Sequence, residues 1–191
     1  MTAFRKLKSF MGTDISHLVR RSLRGGSPEE VQSQLWKAVE SGDTALLDRS
    51  LAAGADPSLC SAQGVSALHV AAQAGNTPLL LRLLSGARGE VRIDEPSAQG
   101  YSALSDAAAS GHLSCVHALL GAGASPEFRG PRGVRVLHRA AAQDNAEILR
   151  MLFKAGADWT APDADGKTPL DVLAEHRPQA VNAWKRHAGL V

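Results

Sequence analysis

The chain has 191 residues, 44% of them hydrophobic but only 4% aromatic, with a formal net charge of +2. That is enough chain for one domain with a core of Leu, Ala and Val, and a charge too mild to imply nucleic acid. Two cysteines, Cys60 and Cys115, make neither a disulfide framework nor a metal spacing, so a reducing compartment is expected, the cytoplasm.

Residues 1–26 read as a basic arm. Up to Pro28 six basic side chains, Arg5, Lys6, Lys8, Arg20, Arg21 and Arg24, stand against Asp14 alone. Phe4, Leu7, Met11, Ile15 and Leu18 recur at helical spacing, and Gly12 with the Thr13-Asp14 cap signal divides that stripe into two short helices. Three roles compete for the arm. It packs as a cap on the helices after it, it orders on a partner or an anionic membrane surface, or it is an organelle-targeting presequence. It lacks the continuous apolar core of a secretory signal, and no apolar run in the chain is long enough to span a bilayer.

The first strong helix start is Ser27-Pro28-Glu29-Glu30: an N-cap, a proline at the first helical position, then acids at the positive end of the dipole. Val31, Leu35, Ala38 and Val39 form its core face, and Gly42 ends it. The second helix is "DTALLDRSLAAG", stopped by Gly54. From there helices come in pairs: "SALHVAAQAG" with "TPLLLRLLSG", "SALSDAAASG" with "LSCVHALLGAG", "RVLHRAAAQ" with "AEILRMLFKAG", and "TPLDVLAEH" with "QAVNAWKRHAG". Each first helix follows a glycine-containing turn, and most second helices end at a glycine able to adopt positive φ.

The pairs are periodic. Gly64, Gly100, Gly133 and Gly166 are spaced by 36, 33 and 33 residues, with Leu68, Leu104, Leu137 and Leu170 in step. "GADP", "GASP" and "GADW" recur between them. A period near 33 predicts stacked helix–turn–helix units. The connection from Leu84 to Gly100 carries three residues more than its counterparts. A solenoid confines such insertions to loops.

On these motifs about residues 31–188 resemble the ankyrin-repeat family, as five units with degenerate ends, which implies an ankyrin-repeat domain over 27–191. The resemblance implies an all-α ankyrin-repeat solenoid of stacked helix-turn-helix units. The family's Thr-Pro survives as Thr168-Pro169, and its histidine as His69 and His138, with Ser105, Asp171 and Trp36 at that position in the other units. The family position implies that these imidazoles hydrogen-bond across adjacent turns, less so in the unit of Ser105. Asp106 and Arg139 share a phase in neighbouring repeats and are expected to form a surface ion pair.

No sequence pattern calls for catalysis. The histidines lack metal-ligand spacing, and there is no GxSxG elbow or P-loop. No catalytic residue, metal, cofactor, small-molecule substrate or nucleic acid is therefore expected. The resemblance implies a non-catalytic protein–protein interaction module, an adaptor or scaffold, monomeric alone, binding another protein through its concave groove and turn tips. Its alternatives are a stoichiometric inhibitor of a partner enzyme and a protein held on a membrane by its basic arm. Repeat phase puts Gln63, Val65, Gln99, Tyr101, Arg132, Val134 and Lys167 on the turn tips. It puts Gln73, Ser110 and Gln143 on the groove side of the inner helices. Tyr101 and Arg132 are of the types enriched at binding hot spots, and no packing reason for them is visible in the sequence. Trp36 and Trp184 are expected to seal the two ends of the core, and Trp159 to pack against the next turn.

Overall fold

The computed structural model describes residues 27–61, 64–86, 92–143 and 145–187. The basic arm lies outside them. The chain divides into two compact units, Met1–Asp56 and Pro57–Val191.

In the first unit, helix α1 (Pro28–Ser41) is capped by Ser27, whose side chain accepts from the Glu30 amide, and Gly42 closes it in the left-handed region. Its buried face is Val31, Leu35, Ala38 and Val39, as the apolar spacing predicts. Helix α2 (Thr44–Ala53) starts on Asp43, which accepts from the Ala45 and Leu46 amides. The Gln32 side chain then holds the residue before the unit boundary, accepting from the Asp56 amide and donating to its carbonyl, both at 2.9 Å.

The second unit is four helix pairs. The first helices are α3 (Ala67–Gln73), α5 (Ala103–Ala109), α7 (Val136–Gln143) and α9 (Pro169–His176). The second helices are α4 (Thr77–Gly86), α6 (Leu113–Gly121), α8 (Ala146–Lys154) and α10 (Pro178–His187). The first helices pack in a row, α3 on α5 on α7 on α9, with α4, α6 and α8 in a second row behind them. Ala71, Ala72, Ala107, Ala108, Ala140 and Ala141 are fully buried in the first row. Methyl side chains there let neighbouring helices approach closely. The second row supplies bulk: Leu79, Leu80, Leu83, Leu119, Ile148, Leu149 and Leu152 are sealed from solvent. Each such side chain contributes roughly 1.5–3 kcal/mol. Among the described residues there is no strand, only an isolated bridge between Arg129 and Arg135.

Trp159 and Trp184 pack together at the last repeat. Trp159 is buried and stacked on Trp184 of the last helix, with centroids 5.4 Å apart. Phe153 of α8 meets it at 6.3 Å. Trp184 is buried, whereas Trp36 is only half-buried.

Candidate functional site: the turn tips and the first row of helices

Each repeat of the second unit enters its first helix through a five-residue finger, and all four fingers share one hydrogen-bond pattern. The first residue donates to the carbonyl of the fifth, and the fourth donates back to the first. The pairs are Ser61 to Val65 (2.8 Å), Ser97 to Tyr101 (2.9 Å), Gly130 to Val134 (2.9 Å) and Asp163 to Lys167 (2.8 Å). The fourth residue is always glycine. At Gly64 the reason is double: its φ is 68°, and a Cβ there would lie 2.9 Å from the Cβ of Ala98 in the next finger.

Two buried histidines tie fingers together. His69 Nε2 lies 2.9 Å from the carbonyl of Tyr101, and His138 Nε2 lies 3.0 Å from that of Lys167. A carbonyl can only accept, so Nε2 carries the proton in both. The other nitrogen is then an acceptor: His138 Nδ1 takes the Arg135 amide, and His69 Nδ1 takes the Ser66 hydroxyl at 2.8 Å. With both nitrogens committed, neither ring has a lone pair left for a metal or a proton-transfer step. The cross-turn role expected of these histidines is what the geometry shows. Backbone bonds run beside them, from the Ala98 amide to the Gly64 carbonyl (2.9 Å) and from Ala164 to Arg132 (2.7 Å).

The seam between finger 97–101 and finger 130–134 is built differently. Ser105 stands in place of histidine and turns inward to Ser102, 3.2 Å between hydroxyls. Pro131 stands where Ala98 and Ala164 donate, and proline has no N–H. Among the described residues no hydrogen bond joins these two fingers. Instead, the Arg139 guanidinium lies over the Tyr101 ring, 4.0 Å from its centroid, and its Nη2 is 3.2 Å from Asp106 Oδ1. Tyr101 also presses on Gly130, where a Cβ would fall 2.6 Å from the ring. Packing therefore does account for Tyr101, against the expectation from sequence.

The Asp106–Arg139 pair is also not the surface pair expected. The Asp106 side chain is 6% exposed and that of Arg139 22%. Burial raises the Asp106 carboxyl above its ordinary value, and the opposing pull of Arg139 and then His69 does not restore it.

The other candidate residues are spread along the fingers and helix ends. Gln99, Arg132 and Lys167 are exposed, and Val65 and Val134 half-buried. Gln63 lies outside the described residues. Arg132 pairs with Asp165, and Lys167 with Glu175 at 2.6 Å, so these tips present both charge signs. Gln73 and Gln143 end α3 and α7, and Ser110 is the C-cap of α5. All three are exposed, but about 10 Å of helix separates them from the fingers. The candidates thus form two groups, the fingers and the first-row helix ends.

Arg132 has an unusual backbone, with φ 54° and ψ 23°. It follows Pro131 at the corner of the turn, where glycine is the ordinary choice. A left-handed conformation costs a side-chain-bearing residue roughly 1–2 kcal/mol, while an exposed ion pair such as Arg132–Asp165 contributes about 0–1 kcal/mol. For stability alone, glycine would serve as well or better.

Sequence reasoning missed a clamp that recurs between repeats. Asp94 accepts from the Ser125 amide at 3.0 and 3.2 Å, and Glu127 from the Asp158 amide at 2.8 Å. Asp94 and Glu127 are 33 residues apart in sequence, which is the repeat period, so the signal was present. The three extra residues of the long connection therefore fall before Asp94. Residues 87–91 of it lie outside the described residues, but the part from Arg92 on is bonded to the next repeat.

Cys60 is exposed and Cys115 buried, its sulfur 3.3 Å from the Thr77 hydroxyl. His112 opens α6 and reaches back to the Gln73 carbonyl at 3.0 Å. His117 is exposed on the second row. Among the described residues no three His, Cys, Asp or Glu side chains group as a metal site, and no helix is long and apolar enough to cross a membrane.

The comparisons with known proteins agree with this architecture. A family model for three copies of ankyrin repeats matches residues 35–130, and another for many copies matches 129–173. The chicken nuclear factor NF-kappa-B p105 subunit is 32% identical over 75% of this chain and 15% of its own length. The potassium channel AKT2/3 of Arabidopsis thaliana is 33% identical over 81% of this chain and 19% of its own. Human ankyrin repeat and SOCS box protein 3 is 28% identical over 75% of this chain and 34% of its own. The chain thus spans about a third or less of each of these relatives. From the matched models and the repeated fingers alike, the chain belongs to the ankyrin-repeat family, whose repeats generally mediate protein–protein interaction.

Proposed function

We propose that this chain is a non-catalytic adaptor that binds a protein partner through its turn tips and the exposed ends of its first-row helices. The observation that carries the reading is Arg132. Its backbone is held where glycine would be less strained, and its side chain returns to the fold only one exposed ion pair. A backbone outlier kept against its cost points to use of the side chain. Finger 97–101 is tied on one side by His69 and the Ala98 amide, and finger 130–134 on one side by the Ala164 amide, so their exposed side chains have lost part of their freedom before binding.

The experiment is affinity capture from the native source with the full chain, followed by the same capture with Arg132→Gly. The expected result is that Arg132→Gly keeps or raises the thermal midpoint and weakens capture of the main partner. A variant that unfolds at lower temperature and captures normally assigns Arg132 to the fold and removes this support. An activity assay on the captured protein then separates an adaptor, which leaves activity unchanged, from a stoichiometric inhibitor.

A further inference from the structure

We infer that the seam between finger 97–101 and finger 130–134 is a compliant joint in the second unit, held shut by the Arg139 side chain. The seams on either side each have two ties of fixed geometry. One has the His69 bond to Tyr101 with the Ala98 bond to Gly64, and the other the His138 bond to Lys167 with the Ala164 bond to Arg132. At the joint both donors are missing at once. Ser105 is too short to reach the next finger, and Pro131 has no amide hydrogen. Two independent substitutions remove the same kind of tie at the same place.

What remains is the contact of Tyr101 with Gly130 and of Pro131 with Gly100, together with a stack and an ion pair that are both made by one side chain. Arg139 lies over the Tyr101 ring and touches Asp106. A guanidinium over a ring can slide or lift with a shallow change in energy, whereas a hydrogen bond weakens steeply as its angle opens. Behind the fingers, α5 and α7 are joined by the buried side chains of Leu104, Ala107, Ala108, Leu137, Ala140 and Ala141. That packing keeps the helices together and confines motion to the fingers. Opening would change the separation of the exposed Gln99 and Arg132 side chains, letting one seam adjust to a bound surface while its neighbours stay rigid. The inference concerns the free chain and does not depend on the proposed partner.

Tyr101 is the sole tyrosine of the chain, so it reports on the joint without overlap. The full chain labelled with 3-fluorotyrosine should give a single fluorine resonance with relaxation dispersion, from exchange between the stacked ring and a minor open state. Ser105→His restores an imidazole facing the Val134 carbonyl and Ser102, and should lower the open population about threefold or more, the worth of one hydrogen bond. Pro131→Ala, which restores the donor toward Gly100, should act in the same direction, and Arg139→Met in the other. A resonance without dispersion in the unsubstituted chain overturns the joint. So does dispersion that Ser105→His leaves unchanged. Both readings survive if Arg139→Met fails to fold.

Discussion

The seam bridged by His69 and the seam closed by Arg139 hold the same two kinds of element together by different physics. In the first, a buried imidazole with both nitrogens satisfied meets a carbonyl, and an amide bond runs alongside. In the second, a ring, a guanidinium and a buried carboxylate substitute for them. The difference shows that stacking period and finger bonding are separable. Period is set by the alanine and leucine faces of the helices, which are alike at both seams. The finger ties are set one residue at a time and can be exchanged without altering the stack.

Changes at Arg139 should break the comparison most strongly. Arg139→Met leaves Asp106 in a buried site without its counter-charge, and removal of one partner of a buried pair costs roughly 3–5 kcal/mol. Arg139 is partly exposed, so the expected loss in denaturant unfolding is nearer about 2–3 kcal/mol. In an Asp106→Asn background the same change should cost only the stack, about 0.5–1 kcal/mol. Equal losses in both backgrounds would mean that the charge pair has no part in the seam.

At the other seam, His69→Ala should cost about 2 kcal/mol, since the Ser66 hydroxyl loses its acceptor and the Tyr101 carbonyl one of its two donors. A loss no greater than for an exposed substitution would deny the imidazole its bridging role. Ser105→His should move the second seam toward the first and add about 0.5–1.5 kcal/mol. Ser102 corresponds to Ser66 in the repeat, and the Val134 carbonyl, which among the described residues accepts only from the Gly130 amide, has a lone pair to spare. A lowered denaturant midpoint would show that the pocket has no room for the ring.

The smallest effects are in pH dependence, and they differ in sign within the second unit. Burial raises the Asp106 carboxyl above its ordinary 3.8, so the folded chain holds that proton more tightly than the unfolded chain. Its contribution to stability is full below about pH 3.8 and is lost as pH rises through the raised value. Asp171 is the opposite: hydrogen bonds from the Thr168 side chain and backbone lower it. Its contribution is present above its ordinary value and is lost as pH falls. Thermal midpoints measured from pH 3 to 7 should therefore fall less steeply on acidification in Asp171→Asn than in the unsubstituted chain. In Asp106→Asn they should fall more steeply, from a higher neutral value. Parallel curves for both variants would contradict the assignment.

Much of this was legible in the sequence. The glycine period and the helix pairs follow from residues that repeat in phase, because a repeated contact leaves a repeated letter; the Ser27 cap follows from local cap chemistry, and the roles of His69 and His138 from the resemblance to ankyrin repeats. Asp106 and Arg139 are matched by phase too, but their burial is not readable, since Arg139 is covered by Tyr101 of the preceding repeat. Tyr101 reads as free of packing duties because its partner belongs to the next repeat. The Trp159–Trp184 stack joins two unrepeated residues, so periodicity could not reveal it.

On the proposed function the turn tips and first-row helix ends, not the second-row helices, meet the partner. The direct measurement is the Kd of the captured partner for Gln99→Ala combined with Arg132→Gly, set against Leu81→Ala combined with His117→Ala. Leu81 and His117 are exposed on α4 and α6, so both pairs should leave the fold intact. The account predicts a loss of about tenfold or more, roughly 1.4 kcal/mol, for the finger pair and little change for the helix pair. The reverse pattern would contradict it.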